Sequence, residues 1–200
     1  NVRRVIVVTN SDEIEKEVRN NGGEVVFMDS EATCATDRII EYLKARGDIE
    51  REICIVKGDQ PFVDPGNVER CINLYFNRKF DKTVCTTCHY KIKGNIHNRD
   101  IIKIVFDLYG RILYGSRSLL PHTENQNISH YGHCDIFCYD STYLLSMYHR
   151  GLSRLQLIEN LEWLKIIDQG FFIESLEIDE PERDLKTWED YKNLHIGLNN

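Results

Sequence analysis

The sequence predicts an α/β protein in which short parallel strands alternate with helices, elaborated by a β-hairpin. Three observations carry this. Short apolar β-branched runs recur at Val5 to Val8, Glu24 to Phe27 and Ile53 to Val56, each separated from the next by a stretch of helical periodicity. Asp107-Leu108-Tyr109-Gly110 is a hairpin turn signal between two further β-rich runs. The third is Lys57-Gly58-Asp59-Gln60-Pro61, which stops the Ile53 run abruptly and places Asp59 at the carboxyl end of a strand, where open α/β sheets bind ligands.

Taken in order, Val5 to Val8 is the first strand and passes through Thr9 into a helix capped by Asn10 or Ser11 and ended by Gly22-Gly23. Glu24 to Phe27 is the second strand. After a loop of small residues, Asp37 to Arg46 has helical periodicity with Gly47 as its stop. Asp64 caps, and Pro65 opens, a helix expected over Pro65 to Asn77, with Val68, Ile72, Leu74 and Tyr75 on its apolar face. Val84 to Tyr90 reads as a strand, and Ile101 to Phe106 with Arg111 to Tyr114 as the hairpin arms. Helices are expected at Thr142 to His149 and at Leu157 to Gln169, then a strand over Phe171 to Ile178 and a last helix from Thr187 toward His195, with Glu189 and Asp190 in its first turn. Neither repeat nor flexible linker interrupts this pattern, so residues 1–200 are expected to form a single domain.

Composition narrows the function. With 200 residues, 42% hydrophobic and 28% charged, the chain is of a size to bury a substantial core. A formal charge of -7 without a dense Lys/Arg block disfavours nucleic acid or an anionic membrane as the main partner. No apolar run approaches the ~20 residues that span a bilayer. The start, Asn1 to Val5, lacks a signal-peptide layout, and a cytoplasmic protein is the expectation. The 7 cysteines then read as reduced thiols. Cys85-Thr86-Thr87-Cys88-His89 matches haem-attachment or half-zinc spacing, but haem needs an exported chain and zinc a second ligand pair, so both are disfavoured. Asn127-Ile128-Ser129 fits a glycosylation acceptor without the secretory context that gives it meaning.

Asp59 has two readings from its local sequence: a carboxylate that holds a divalent metal against phosphates, or an acceptor of turn backbone hydrogen bonds. Other segments weigh on that choice. Val5 to Asn10, Gly22 to Val25, Thr36-Asp37-Arg38, Lys57 to Pro61, Ile104 to Asp107, Leu113 to Arg117, His130-Tyr131-Gly132 and Glu159 to Lys165 follow in order and spacing the cytidylyltransferases that activate 3-deoxy-manno-octulosonate (KDO). The chain resembles that family over nearly all its length.

The resemblance implies a Rossmann-like, glycosyltransferase-A-like nucleotidyltransferase with helices on both faces of its sheet. It implies that CTP and a sugar acid become CMP-sugar and pyrophosphate with Mg2+, a step of lipopolysaccharide biosynthesis. Asp59 and Lys57 become the expected catalytic residues, with Asp59 the metal ligand. Arg117, His130, Glu159 and Glu162 become sugar-binding, and Thr36, Arg38 and Gly58 nucleotide-binding. A homodimer formed through the hairpin with Tyr109 and Leu113 is the corresponding partner expectation. Without the resemblance, Arg117 is equally a surface charge, His130 a loop histidine, and Glu159 with Glu162 a solvated face of one helix.

This chain also departs from the family pattern. Asn1 falls just ahead of what the resemblance makes the second strand, so the basic phosphate-binding βα unit is expected to be missing and these 200 residues alone to be inactive. Lys57 replaces a glutamine, Trp163 replaces a glutamine, and Lys186 stands at the position of a second metal-binding aspartate, with Asp184 nearby. A catalytically degenerate binding protein and a sialic-acid-type cytidylyltransferase are the alternative readings.

Overall fold

A strand forms where β-branched residues meet a turn signal, and a helix where a small polar cap precedes 3.6-residue periodicity; both rules operate along this chain. The computed structural model describes residues 2–30, 32, 34–47, 52–125, 128–148, 150–151, 153–182, 184–185 and 187–197. In order the elements are β1 (Ile6–Thr9), α1 (Asp12–Asn20), β2 (Glu24–Phe27), α2 (Ala35–Arg46), β3 (Glu52–Val56), α3 (Pro65–Phe76), β4 (Thr83–Lys91), β5 (Lys103–Phe106), β6 (Ile112–Ser116), β7 (Tyr131–Asp140), α4 (Ser141–Tyr148), α5 (Arg154–Glu159), α6 (Leu164–Asp168), β8 (Phe172–Ile178) and α7 (Trp188–Gly197). They divide into two compact units, residues 1–52 with 140–151, and residues 53–139 with 152–200.

In the first unit β1 and β2 pair in parallel, Ile6 opposite Glu24 and Thr9 opposite Phe27. Ser11 is the cap of α1, its hydroxyl accepting from the Ile14 amide at 3.3 Å. The α2 helix begins two residues earlier than the sequence suggests because the Cys34 thiol accepts from the Asp37 amide at 3.4 Å. It ends at Gly47 with φ 70°, a left-handed conformation that a glycine adopts without steric cost. Ile40 and Leu43 of α2 are buried, and the helix packs on β1 and α4.

The second unit is built on a six-stranded sheet in the order β6-β5-β7-β4-β8, with β3 also paired to β7. It is mixed rather than wholly parallel: β4 runs parallel to β8, while β4–β7, β5–β7 and β5–β6 are antiparallel. The expected hairpin is present, with Gly110 at φ 86° in its turn and the Asp107 carboxylate accepting from the Tyr109 and Arg111 amides. Flanking helices complete the layer, α3 on β4 and β8, and α6 on β6 and β8. Cys71 and Tyr75 of α3 form one core cluster with Cys88, Cys134, Ile136, Cys138 and Ile178 of the strands. All seven cysteines are free thiols, five of them buried.

One helix expectation is corrected. Leu157 to Gln169 is not one helix: Asn160, at φ 53°, closes α5, and Leu161 to Trp163 turn before α6 begins. Glu159 and Glu162 therefore do not share a helix face. Residues 131–140, to which the sequence assigns no element, form β7, the longest described strand and the partner of β3, β4 and β5.

Candidate active site

Gly58 and Asp59 form the turn that ends β3, and the Gln60 amide donates to the Lys57 carbonyl at 3.1 Å to close it. A β-carbon at Gly58 would meet nothing within 4 Å, so the turn is open on that side. The Asp59 carbonyl accepts from the Leu185 amide at 2.7 Å, and the Gln60 side chain donates to Asp184 Oδ1 at 3.0 Å. These two bonds bring residues 184–185, distant in sequence, onto the turn.

Asp59 Oδ1 is buried and has no hydrogen-bond partner. Leaving such an oxygen unsatisfied is costly, and a hard divalent cation takes carboxylate donors of this kind. The residues present thus fit a metal of the magnesium type. Among the described residues no cluster of three or more His, Cys, Asp or Glu is arranged to hold one. The position of Lys186 lies outside the described residues.

Lys57 is the cation of the site. Its Nζ donates to Asp135 Oδ2 at 2.7 Å. Burial pulls the ammonium down, but Asp135, then Glu162 and Asp59, outweigh it and raise the group above its ordinary value. Burial likewise pushes the Asp135 carboxyl up, while the neighbouring His133 and the Lys57 ammonium more than reverse this and hold it well below the usual carboxylate range. His133 Nδ1 lies 3.3 Å from Asp135 Oδ1, outside hydrogen-bond geometry. Its Nε2 and the Thr87 hydroxyl are 3.0 Å apart, and its ring stacks on Trp163 with centroids 5.2 Å apart.

Asp135 and His133 were not legible from the sequence. They sit on β7 at a bulge: Thr87 pairs with Phe137 but Cys88 with Cys134, so Asp135 and Ile136 are extra residues on the β7 side. Bulges re-aim side chains and are enriched beside active sites. The signal available was an acidic residue inside an otherwise aromatic, cysteine and isoleucine run.

The expected sugar residues surround other parts of the second unit. Glu159, last in α5, accepts from the Ser116 hydroxyl at 2.7 Å and the Tyr114 hydroxyl at 3.1 Å. Glu162, in the turn before α6, acts electrostatically on Lys57. His130, in the loop before β7, is buried, its Nδ1 donating to the Leu120 carbonyl at 2.8 Å. Arg117 follows β6, is exposed, and donates to the Arg99 carbonyl at 3.2 Å. Trp163 is buried against Gly115 with its indole N–H unpartnered. Thr36, buried, and Arg38, whose Nε is buried and unpartnered, stand in the first turn of α2 in the first unit. The structure therefore gathers Lys57, Gly58, Asp59 and Glu162 with Asp135 and His133. Of the remaining motifs, Cys88 lies in the core beside Cys71, His89 bonds Ser175 Oγ at 3.0 Å, and Asn127 lies outside the described residues.

Comparison with known proteins agrees with this architecture. A family model described as cytidylyltransferase matches residues 1–181. The chain is 34% identical over 189 residues to the 8-amino-3,8-dideoxy-manno-octulosonate cytidylyltransferase of Shewanella sp. (strain W3-18-1), covering 89% of this chain and 77% of the relative. It is 28% identical over 204 residues to the 3-deoxy-manno-octulosonate cytidylyltransferase of Chlorobium phaeobacteroides, covering 98% and 81%. Among solved structures, a CMP:2-keto-3-deoxy-manno-octonic acid synthetase complexed with CTP superposes with TM-score 0.91 at 21% identity, over 99% of this chain and 81% of that one. The 4-diphosphocytidyl-2C-methyl-D-erythritol synthase of Anaerococcus prevotii superposes with TM-score 0.62 at 17% identity, over 100% and 83%. The fold is that of the nucleotidyltransferases, and the chain belongs to the cytidylyltransferase family.

Proposed function

We propose that this protein catalyses CTP-dependent activation of a KDO-type sugar acid, releasing pyrophosphate and a CMP-sugar acid. The observation that carries the reading is the Asp59 turn: in a cytidylyltransferase chain, a buried carboxylate oxygen with no protein partner stands at the carboxyl end of β3 beside a fixed lysine. In the reaction a sugar hydroxyl oxygen attacks the α-phosphorus, a new O–P bond forms, and the bond to the β-phosphate oxygen breaks.

Asp59 would hold Mg2+, which supplies charge neutralisation on the phosphate oxygens when bound. The protein's own groups orient and neutralise. Lys57 offers a cation next to that carboxylate, and Gly58 leaves the turn open to the nucleotide. Glu159, Glu162 and His130 hold the sugar, Glu159 with its geometry fixed by Tyr114 and Ser116. Arg117 contributes a planar fork for the sugar acid. Cytoplasmic location and a homodimer through the Tyr109 and Leu113 hairpin belong to the same reading; Leu108 at the hairpin tip is 99% exposed. No described helix is long and apolar enough to cross a membrane.

The test is CMP-sugar formation from CTP with KDO and, separately, with its 8-amino analogue. Formation with CTP and not with other nucleotides supports the reading. Binding of CTP or sugar acid without product supports the second reading, a non-catalytic relative, which the lysine at position 186 favours.

A further inference from the structure

We infer that Asp135 is a positioning residue for catalysis, holding the Lys57 ammonium at the junction between the nucleotide and sugar halves of the site; this rests on the function proposed above. Lys57 stands two residues before the Asp59 turn, and three acidic groups act on it: Asp135 in direct contact, then Glu162 and Asp59 through charge. If Asp59 serves the phosphates and Glu162 the sugar, the ammonium lies where attacking hydroxyl and α-phosphate meet. The Lys57 side chain is 35% exposed and Asp135 16%. The carboxylate is thus a shielded anchor and the ammonium a reachable ligand. An ammonium has three donor hydrogens, and Asp135 engages one.

The local backbone is built for this pairing. The bulge inserts Asp135 and Ile136 against a single step of β4. The Thr87 hydroxyl donates into that bulge, 2.7 Å from the Ile136 carbonyl and 3.0 Å from the Cys134 carbonyl. His133, wedged between Thr87 and the Trp163 ring, closes the other side of the carboxylate. A flexible four-carbon lysine loses geometric definition without a fixed partner, whereas charge stabilisation in the transition state needs donors placed beforehand.

Asp135 is therefore expected to govern turnover rather than substrate affinity. Removing one well-placed donor to developing charge costs about 10²–10³ in kcat; a donor that is loosened, not removed, should cost about 30-fold. Asp135→Asn should lower kcat by about that factor and leave the KM values for CTP and sugar acid within about 3-fold. Lys57→Met should lower kcat at least as much, and Lys57→Met with Asp135→Asn no more than Lys57→Met alone, because both changes act through one ammonium. Asp135→Glu, which keeps the charge, should recover part of the loss. Fluorescence unfolding of each variant separates this from a folding defect: the turnover pattern must hold in variants that keep the wild-type urea midpoint, and Asp135→Glu supplies the comparison if Asp135→Asn does not. Turnover unaffected by Asp135→Asn, additive losses, or an equal rise in both KM values overturns the positioning role alone. Absence of turnover in the unsubstituted protein removes the proposed function and this role with it.

Discussion

Gly115 sits on β6 with its Cα facing the Trp163 ring, and the Gly115→Ala change is a direct probe of the wall behind the candidate site. An added β-carbon would lie 2.3 Å from Trp163 Cη2 and 2.8 Å from Cζ2. Carbon atoms settle about 3.5–4.0 Å apart, so ring or strand must retreat by more than about 1 Å. The ring has little freedom: Trp163 is 3% exposed and stacked on His133, which is itself bonded to Thr87. Overpacking of this kind costs about 1–3 kcal/mol. Against it, replacing glycine by alanine stiffens the unfolded chain and gains about 0.4–1 kcal/mol. Steric strain wins, and a net loss of about 1–2 kcal/mol is expected. The assay is urea unfolding followed by tryptophan fluorescence, in which buried Trp163 reports the transition against the constant background of Trp188, 69% exposed. With m near 2 kcal/mol/M for a unit of this size, the midpoint should fall by roughly 0.5–1 M. The loss should shrink in a Trp163→Phe background, read by circular dichroism, since that change removes the two clashing carbons. An unchanged midpoint, or the same loss in the phenylalanine background, would refute the packing argument.

His89 predicts a pH dependence of stability. Burial, with a smaller contribution from the charge of His133, lowers its pKa to about 4; unfolded histidine titrates near 6.5. Its folded pKa is the lower one, so its contribution is complete above about pH 6.5 and is lost as pH falls toward 4. The loss amounts to roughly 2–3 kcal/mol by pH 4.5, and His89→Phe should flatten the urea midpoint between pH 7 and 4.5; an equally steep fall in the variant would exclude His89 as its source. Glu159→Gln leaves one of the Tyr114 and Ser116 hydroxyl donors facing an amide N–H, so it should cost about 1 kcal/mol and raise KM for the sugar acid about 10-fold with KM for CTP unchanged; a CTP effect of the same size would move Glu159 out of the sugar pocket. Burial pushes the Cys134 thiol up to about 12, and iodoacetamide should label it slowly in native buffer and promptly in urea, as read by mass spectrometry. Rapid native labelling would contradict its burial.

Most elements were legible because their signals are local. The Ser11 and Asp64 caps, the Gly47 stop and the Asp107 to Gly110 turn are each decided within a few residues, and each falls where the sequence puts it. What was not legible depends on partners far away in sequence. The β7 strand mixes His133, Asp135, aromatic residues and cysteines without a two-residue alternation, because nearly all of it is buried between neighbouring strands. The Asp135 bulge exists only in relation to β4 and has no signature of its own. Likewise the break at Asn160 hides inside apolar periodicity that continues from α5 into α6. In the candidate site, Asp59 and Lys57 could be singled out from the turn after a strand and the family resemblance. Their engagement by Asp135, and the docking of residues 184–185 on the turn, required the three-dimensional structure.

The central claim, that the Asp59 turn is a metal-dependent cytidylyl-transfer centre, is tested most directly by magnesium-dependent pyrophosphate release from CTP and KDO, comparing the natural protein with its Asp59→Asn variant. The substitution is nearly isosteric but exchanges an orphaned carboxylate oxygen for a neutral amide. The account predicts magnesium-dependent release by the unsubstituted protein and a loss of at least about 10³-fold in the variant, with unfolding midpoints that agree. Equal, magnesium-dependent release by both proteins would contradict it.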